Sequence, residues 1–167
     1  MTYYALLLGC LLVSVITATE GVRAGRDLPC RTTASSTPPL FFGPKPYSMH
    51  APSPASFWYG TDALWTILRD DGRWGALYLS DQRVYRNKVF VWRKGYNSRR
   101  EPKPPLTLVA TRVDEHAPKI LVRDATHASA EGIGTAMLTA ANLPAAGCWE
   151  FTAHYGPQTL TFTVSVP

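Results

Sequence analysis

The 167-residue sequence predicts an all-β chain, an antiparallel β-sandwich of about eight short strands behind an extended N-terminal arm. The first sign is the closing stretch. Trp149, Phe151, Ala153 and Tyr155 alternate with Cys148, Glu150, Thr152 and His154, and after Gly156-Pro157, Leu160, Phe162, Val164 and Val166 alternate with Thr159, Thr161, Thr163 and Ser165. A period of two with one apolar face is the signature of a half-buried hairpin, so Trp149, Phe151 and Phe162 are expected in the core and this hairpin at its middle. The second sign is punctuation: 14 prolines and 12 glycines are too many for long helices and suit frequent turns. The third is that aromatics reach 11% while charged residues are only 17%, a balance that favours strands.

Residues 1–24 read as a secretory leader. Tyr3 to Ala18 is apolar or small almost throughout, although no Lys or Arg precedes it. At about 16 residues the run falls short of the ~20 that span a bilayer as a helix, so cleavage near Ala24 is expected, with no transmembrane span in the mature chain. Leu7-Leu8-Gly9-Cys10 has the look of a lipoprotein box. Too few residues precede Cys10 for an ordinary leader, which makes a lipid-anchored form the lesser alternative to a secreted or periplasmic one. Removal of the leader leaves Cys30 and Cys148, and an even pair in an exported chain points to a disulfide, the alternative being two unrelated thiols.

Residues 25–56 form the arm. Pro38-Pro39, Pro44, Pro46, Pro52 and Pro54 fix φ and remove donors, so this segment is fit neither for helix nor for a central strand. Its aromatics Phe41, Phe42 and Tyr47 are expected to lay it against the sandwich, which occupies 57–167, a length sufficient for one core.

Within the sandwich, Ala63 to Leu68 reads as a strand containing Trp65. Arg69-Asp70-Asp71-Gly72 is the turn of a hairpin, and Trp74 to Leu79 is its return. Ser80 to Asn87 is polar. Lys88 to Arg93 is apolar on both faces, Val89 and Val91 against Phe90 and Trp92, and is expected to be buried on both sides or to lie under the arm. Strands follow at Leu106 to Val113 and Ile120 to Arg123. Asp124 to Gly134 reads as irregular loop. Thr135 to Ala141 combines helix-favouring Ala and Met with flanking turn residues and is read as a strand.

Leu64-Trp65-Thr66 with Asp71-Gly72, Trp92-Arg93, Val113-Asp114 with Ala117-Pro118, and Gly147-Cys148-Trp149-Glu150 followed by Leu160-Thr161-Phe162 resemble the motifs of a group of uncharacterised exported bacterial proteins over roughly residues 57–167. Those proteins carry an early Cys-Pro motif, a Leu-Trp-Thr strand, a Trp-Trp-Arg strand and a closing Gly-Cys-Trp-Glu hairpin. Here the arm reads Pro29-Cys30, and Val91 stands at the first Trp of the third motif. The resemblance implies an immunoglobulin-like sandwich with a disulfide-linked arm and no assigned activity.

One charge feature stands out between Arg83 and Lys103, where eight Lys and Arg side chains meet one acid, Glu101, and Tyr85, Phe90, Trp92 and Tyr96 interleave. Cations attract phosphate, sulfate or carboxylate and aromatic faces stack on rings, so Arg86, Lys88, Trp92, Arg93, Tyr96, Arg99 and Arg100 are candidates for binding an anionic polysaccharide or envelope component. The simpler reading is that the aromatics are core and the charges face solvent. Nucleic acid is not expected for an exported chain.

Other chemistry finds weaker support. His50, His116, His127 and His154 show no metal-ligand spacing, so neither metal nor cofactor is expected. Cys148 and His154 share a strand face but lie about 20 Å apart along it, beyond the reach of a thiol and its base. Asp124, His127 and Ser129 supply the residue types of a hydrolytic triad without a nucleophile elbow. Of the acids that could pair for glycoside hydrolysis, Asp70 and Asp71 fit a hairpin turn and Glu115 a loop, while Glu150 calls for a neighbour such as Arg112 or Lys119, a ligand-binding acid being the alternative. The sequence thus predicts an exported, non-enzymatic binding or structural module, with glycan binding as one alternative and a small hydrolase with a spatially assembled site as the remoter one.

Overall fold

A computed structural model describes residues 29–167 apart from Pro38, Pro46, Ser48, Met49 and Gly132. The expected leader, the Cys10 box and the first residues of the arm lie outside the described residues. Ten strands are present: β1 (Ser56–Gly60), β2 (Trp65–Arg69), β3 (Leu77–Leu79), β4 (Val84–Val91), β5 (Thr107–Arg112), β6 (Ile120–Val122), β7 (Ala125–Ala130), β8 (Gly134–Leu143), β9 (Gly147–Tyr155) and β10 (Gln158–Val166). No helix occurs among the described residues.

Two four-stranded antiparallel sheets, ordered β3-β4-β8-β7 and β10-β9-β5-β6, form the sandwich. In immunoglobulin letters these orders are A-B-E-D and G-F-C-C′, with chain connections that alternate hairpins with crossings between the sheets. The fold is therefore an immunoglobulin-like sandwich. A third, two-stranded sheet of β1 and β2 is added at the N-terminal side. Reciprocal backbone bonds between Trp65 and Trp92, 3.1 and 2.8 Å, join it to the end of β4.

The alternation read from the sequence places the core. Trp149, Phe151 and Ala153 of β9 and Leu160, Phe162 and Val164 of β10 face inward and are buried, meeting Val89, Val91, Met137 and Leu143 of the other sheet. Phe151 stacks on Phe162 with ring centroids 5.5 Å apart and touches Trp74 at 5.2 Å. A buried aromatic of this kind contributes about 3–5 kcal/mol, judged by truncation to alanine.

A second cluster lies on the far side of the β4–β8 sheet. Trp58, Trp65, Trp92 and Ala136 are buried there, with Phe41 and Tyr47 of the arm packed on them. The rings of Phe41 and Tyr47 sit 6.0 and 5.3 Å from that of Trp65. This is why β4 is apolar on both faces: Val89 and Val91 belong to the inter-sheet core, while Phe90 and Trp92 lie under the arm.

The arm is fixed at its start. Cys30 and Cys148 form a disulfide, and Thr33 bonds the outer edge of β10 through Thr33 N–H to Thr163 O (2.8 Å) and Thr163 N–H to Thr33 Oγ1 (2.9 Å). Gly72 admits the arm. Its φ is +66°, and a β-carbon there would collide with the side chain of Thr32.

Several sequence expectations change. Ten strands replace about eight because β1 precedes the expected start of pairing and because Ala125–Ala130, expected as loop, pairs with β8. The side chains of β7 are small, polar and mostly exposed at a sheet edge, so they leave no apolar alternation to detect. The Asp71-Gly72 turn does not close a hairpin between 63–68 and 74–79. Strand β2 instead pairs backward with β1, and Arg73 forms a parallel bridge with Ser165. The closing hairpin is central on one side only: β9 is an inner strand and β10 an edge strand, since sheet order depends on which partner strand arrives, not on burial.

Two predictions follow from this framework. Replacing both Cys30 and Cys148 by serine frees a loop with a sequence separation of 118 and should lower the unfolding free energy in urea by about 4–5 kcal/mol, whereas an unchanged midpoint would contradict the arm's structural role. Acid sensitivity should trace in part to Asp114, which accepts from Arg112 Nε (2.8 Å) and from the Cys148 N–H (2.9 Å). Burial alone raises its carboxyl pKa, but the bonds from Arg112 and Cys148 outweigh burial and hold it below the ordinary value. The stabilisation is therefore present above the unfolded pKa of about 3.9 and disappears as pH falls through the lower folded value. Asp114→Asn should flatten the decline of stability between about pH 5 and pH 2; a decline as steep as in the parent chain would rule Asp114 out.

Candidate ligand-binding cleft

The residues singled out between 83 and 103 are divided between mostly exposed cations and enclosed aromatics. Arg86 and Lys88 stand on the outer face of β4, where Arg86 Nε donates to Asn142 Oδ1 (2.6 Å) and Nη2 to Gln82 Oε1 (3.0 Å). Arg93 lies roughly 23 Å further along the chain direction at ~3.3 Å per residue. Arg99 and Arg100 occupy a turn capped by Asn97 Oδ1, which accepts the N–H of both.

The aromatic members point inward. Trp92 is 1% exposed and donates its Nε1–H to Ile133 O (2.9 Å); Tyr96 is 8% exposed and donates its hydroxyl to Glu101 O (3.0 Å). Arg93 is held between rings, its guanidinium carbon 4.6 Å from the Tyr155 centroid and 5.9 Å from that of Tyr96, with Nη2 3.3 Å from Glu101 Oε2. The Tyr155 hydroxyl donates to Glu101 Oε1 at 2.7 Å. Burial, and then the Glu101 carboxylate, push the pKa of Tyr155 above its ordinary value. Arg93, Glu101, Tyr96 and Tyr155 thus form an internal clasp that fastens the 93–105 loop to β9.

The other candidates find ordinary partners. Ser129 Oγ pairs with Thr135 Oγ1 (2.7 Å), while His127 Nδ1 lies 3.3 Å from Pro102 O. Arg112 is engaged by Asp114 and Glu115 rather than Glu150. Asp71 closes on Arg69 (2.7 Å), and that bond with the Arg73 N–H holds its pKa at about 2. Cys148 has no free thiol. Among the described residues no cluster of His, Cys, Asp and Glu could hold a metal, and no helix is long and apolar enough to cross a membrane.

What the sequence reading missed is a cleft of about 720 Å³ between the arm and the sandwich. One wall is the arm, through 34–36 and 39–42, together with His50, Ala51, Ser53 and Pro54. Another is β1, and the third is the start of β10 at Thr159, Leu160 and Thr161. Phe41, Phe57, Trp58 and Leu160 supply apolar surface, and Leu40 and Phe42 stand on the arm 91% and 45% exposed. His50 and Tyr59 are the titratable side chains among its lining residues, and none of those residues is Asp, Glu, Lys or Arg.

The local sequence explains the opening. Thr33 bonds the edge of β10 at Thr163, but no described residue of the arm bonds the backbone at 159–161, where the Pro-Pro pair in the sequence is unsuited to extend a ladder. A size of a few hundred cubic ångströms, apolar walls and a polar rim of Ser and Thr are the properties of ligand sites. Four separated segments build the cleft, and no spacing motif could have announced it.

The fold and cleft define an immunoglobulin-like sandwich with an arm-walled pocket. Comparison with known proteins adds no relative: no family model, curated protein or solved structure matches the chain.

The clasp generates a prediction. Glu101→Ala leaves Arg93 and the Tyr155 hydroxyl without their acceptor and should cost about 1–3 kcal/mol in urea unfolding. The Arg99→Ala, Arg100→Ala double variant, at exposed positions, should stay within about 0.5 kcal/mol of the parent. Equal losses in the two would contradict the division between clasp and solvent-facing cations.

Proposed function

We propose that this chain is an exported, non-catalytic binding module that holds a neutral, largely apolar ligand between its arm and its sandwich. The observation that carries the reading is the cleft itself: about 720 Å³, walled by aromatic and aliphatic side chains, with no Asp, Glu, Lys or Arg among its lining residues. Such a site favours transfer of apolar surface from water, at about 25 cal/mol per Å², and offers a charged ligand no Asp, Glu, Lys or Arg as an ion-pair partner. The lining residues include no carboxylate, and His50 and Tyr59 are the titratable side chains among them.

Export is supported by the leader-like N-terminus and by the Cys30–Cys148 bond, which persists in oxidising compartments. The polyanion alternative has less support, since Trp92 and Tyr96 are enclosed and Arg93 is engaged by Glu101. Retention on immobilised heparin that weakens with salt would support that alternative.

The uncharged fluorophore Nile red tests the reading. It should bind the oxidised protein with a blue-shifted emission, and Ala34→Trp, which fills the cleft from the arm side, should weaken binding at least about tenfold, a change of 1.4 kcal/mol. No binding, or binding indifferent to Ala34→Trp, would remove the cleft as the functional site.

A further inference from the structure

The lining of the cleft includes a stretch of strand edge, and its backbone is chemically unfinished. Successive residues of an antiparallel strand direct their N–H and C=O groups alternately to one neighbour and the other. Thr163 and Ser165 direct theirs away from β9: Thr163 bonds Thr33, and Ser165 accepts from the Trp74 N–H (2.8 Å) and donates to Gly72 O (2.9 Å). Thr159 and Thr161 share that parity, so their N–H and C=O groups also leave the sheet at its outer edge. Among the described residues nothing bonds these groups, and both residues are exposed and line the cleft.

Open edges are usually blunted by shortness, charge or proline. Strands β3 and β6 are three residues long, with Lys119 and Arg123 flanking β6, and β7 lies between Asp124 and Glu131. Strand β10 is nine residues long and uncharged throughout. Its far half is capped by the arm and by residues 72–74. Its near half, at 159–161, has no such protection and is β-branched, extended and flanked by apolar walls.

We infer that the cleft accepts an extended, uncharged polypeptide segment with alternating apolar side chains, which adds as a strand to β10 at Thr159 and Thr161. The inference rests on the binding reading above and names its ligand class. Two features select a peptide over a plain hydrocarbon. The edge presents amide donors and acceptors at the ~6.8 Å repeat of alternate strand residues, and the arm already uses the same edge in this way two residues further on. The apolar walls then receive every second side chain, as in other β-strand additions.

The test uses the exported, oxidised protein and short acetylated, amidated peptides in which threonine alternates with valine, leucine or phenylalanine, each also made in fully N-methylated form. Competition with Nile red is measured for the parent protein and for Thr161→Pro, which deletes an outward N–H without removing a bond to β9. A peptide should displace Nile red, with affinity lowered at least tenfold by N-methylation and by Thr161→Pro, while Nile red itself binds both proteins alike. Should Thr161→Pro unfold, the N-methyl comparison on the parent protein decides alone. Nile red binding without peptide competition, or equal competition by the N-methylated peptides, would overturn strand addition and leave the cleft a binding site, and a dimer in sedimentation that Thr161→Pro abolishes would overturn the peptide as occupant in favour of a second copy of the chain. Failure of Nile red to bind would remove both readings.

Discussion

The Cys30–Cys148 bond is the constraint on which the rest of this structure depends. A proline-rich arm has almost no means of its own to stay on a sandwich: it forms no ladder, and its apolar side chains are few. The disulfide fixes one end of it beside the inner strand β9 and the edge strand β10. With that end held, the entropic cost of placing Thr33 on Thr163 and Phe41 and Tyr47 on Trp65 falls to that of a short tethered segment. The second apolar cluster, the cap on half of β10 and the walls of the cleft are consequences of where the arm is anchored.

This arrangement divides the labour between two cores. Phe151, Phe162 and Trp74 hold the sheets together and would do so in a sandwich with no arm. Trp58, Trp65 and Trp92 serve a different purpose, joining the β1–β2 sheet and the arm to the back of β4 and β8. Among the described residues the buried Trp65 indole N–H has no acceptor, a cost carried by the second cluster and absent for Trp92 and Trp149, whose indoles donate to Ile133 O and Ala145 O. The other buried polar atom without a partner among the described residues, Arg93 Nε, lies beside Tyr96 and Tyr155 at the margin of the first cluster.

How much of this could be read in advance depended on whether the signal was local. β9 and β10 were legible because their apolar residues recur every second position and all of them end up on the same buried face. Val89 to Trp92 was legible as a strand covered on both sides for the same reason. β7 was not, since a strand of Ala, Thr, His and Ser at an exposed edge is defined by its ladder to β8 and not by its own pattern. Asp71-Gly72 announced a turn, but a turn does not name its partner, and β2 paired with β1. In the basic stretch 83–103 the inward turn of Trp92 and Tyr96 was not legible, because rings that interleave with cations in sequence carry no sign of which face they take. The cleft was illegible because residues near 35, 55 and 160 share no pattern until the disulfide and the sheet bring them together.

A partly capped edge is the claim from which both cleft and ligand class derive, and amide hydrogen exchange read residue by residue tests it most directly. In the oxidised protein, Thr163 and Ser165, bonded to the arm and to Gly72, should exchange slowly, while Thr159 and Thr161 exchange at rates close to those of an open chain; reduction of the disulfide should release Thr163 to match them. Equal protection of Thr161 and Thr163, or a Thr163 that stays protected after reduction, would contradict an edge that the arm covers only in part.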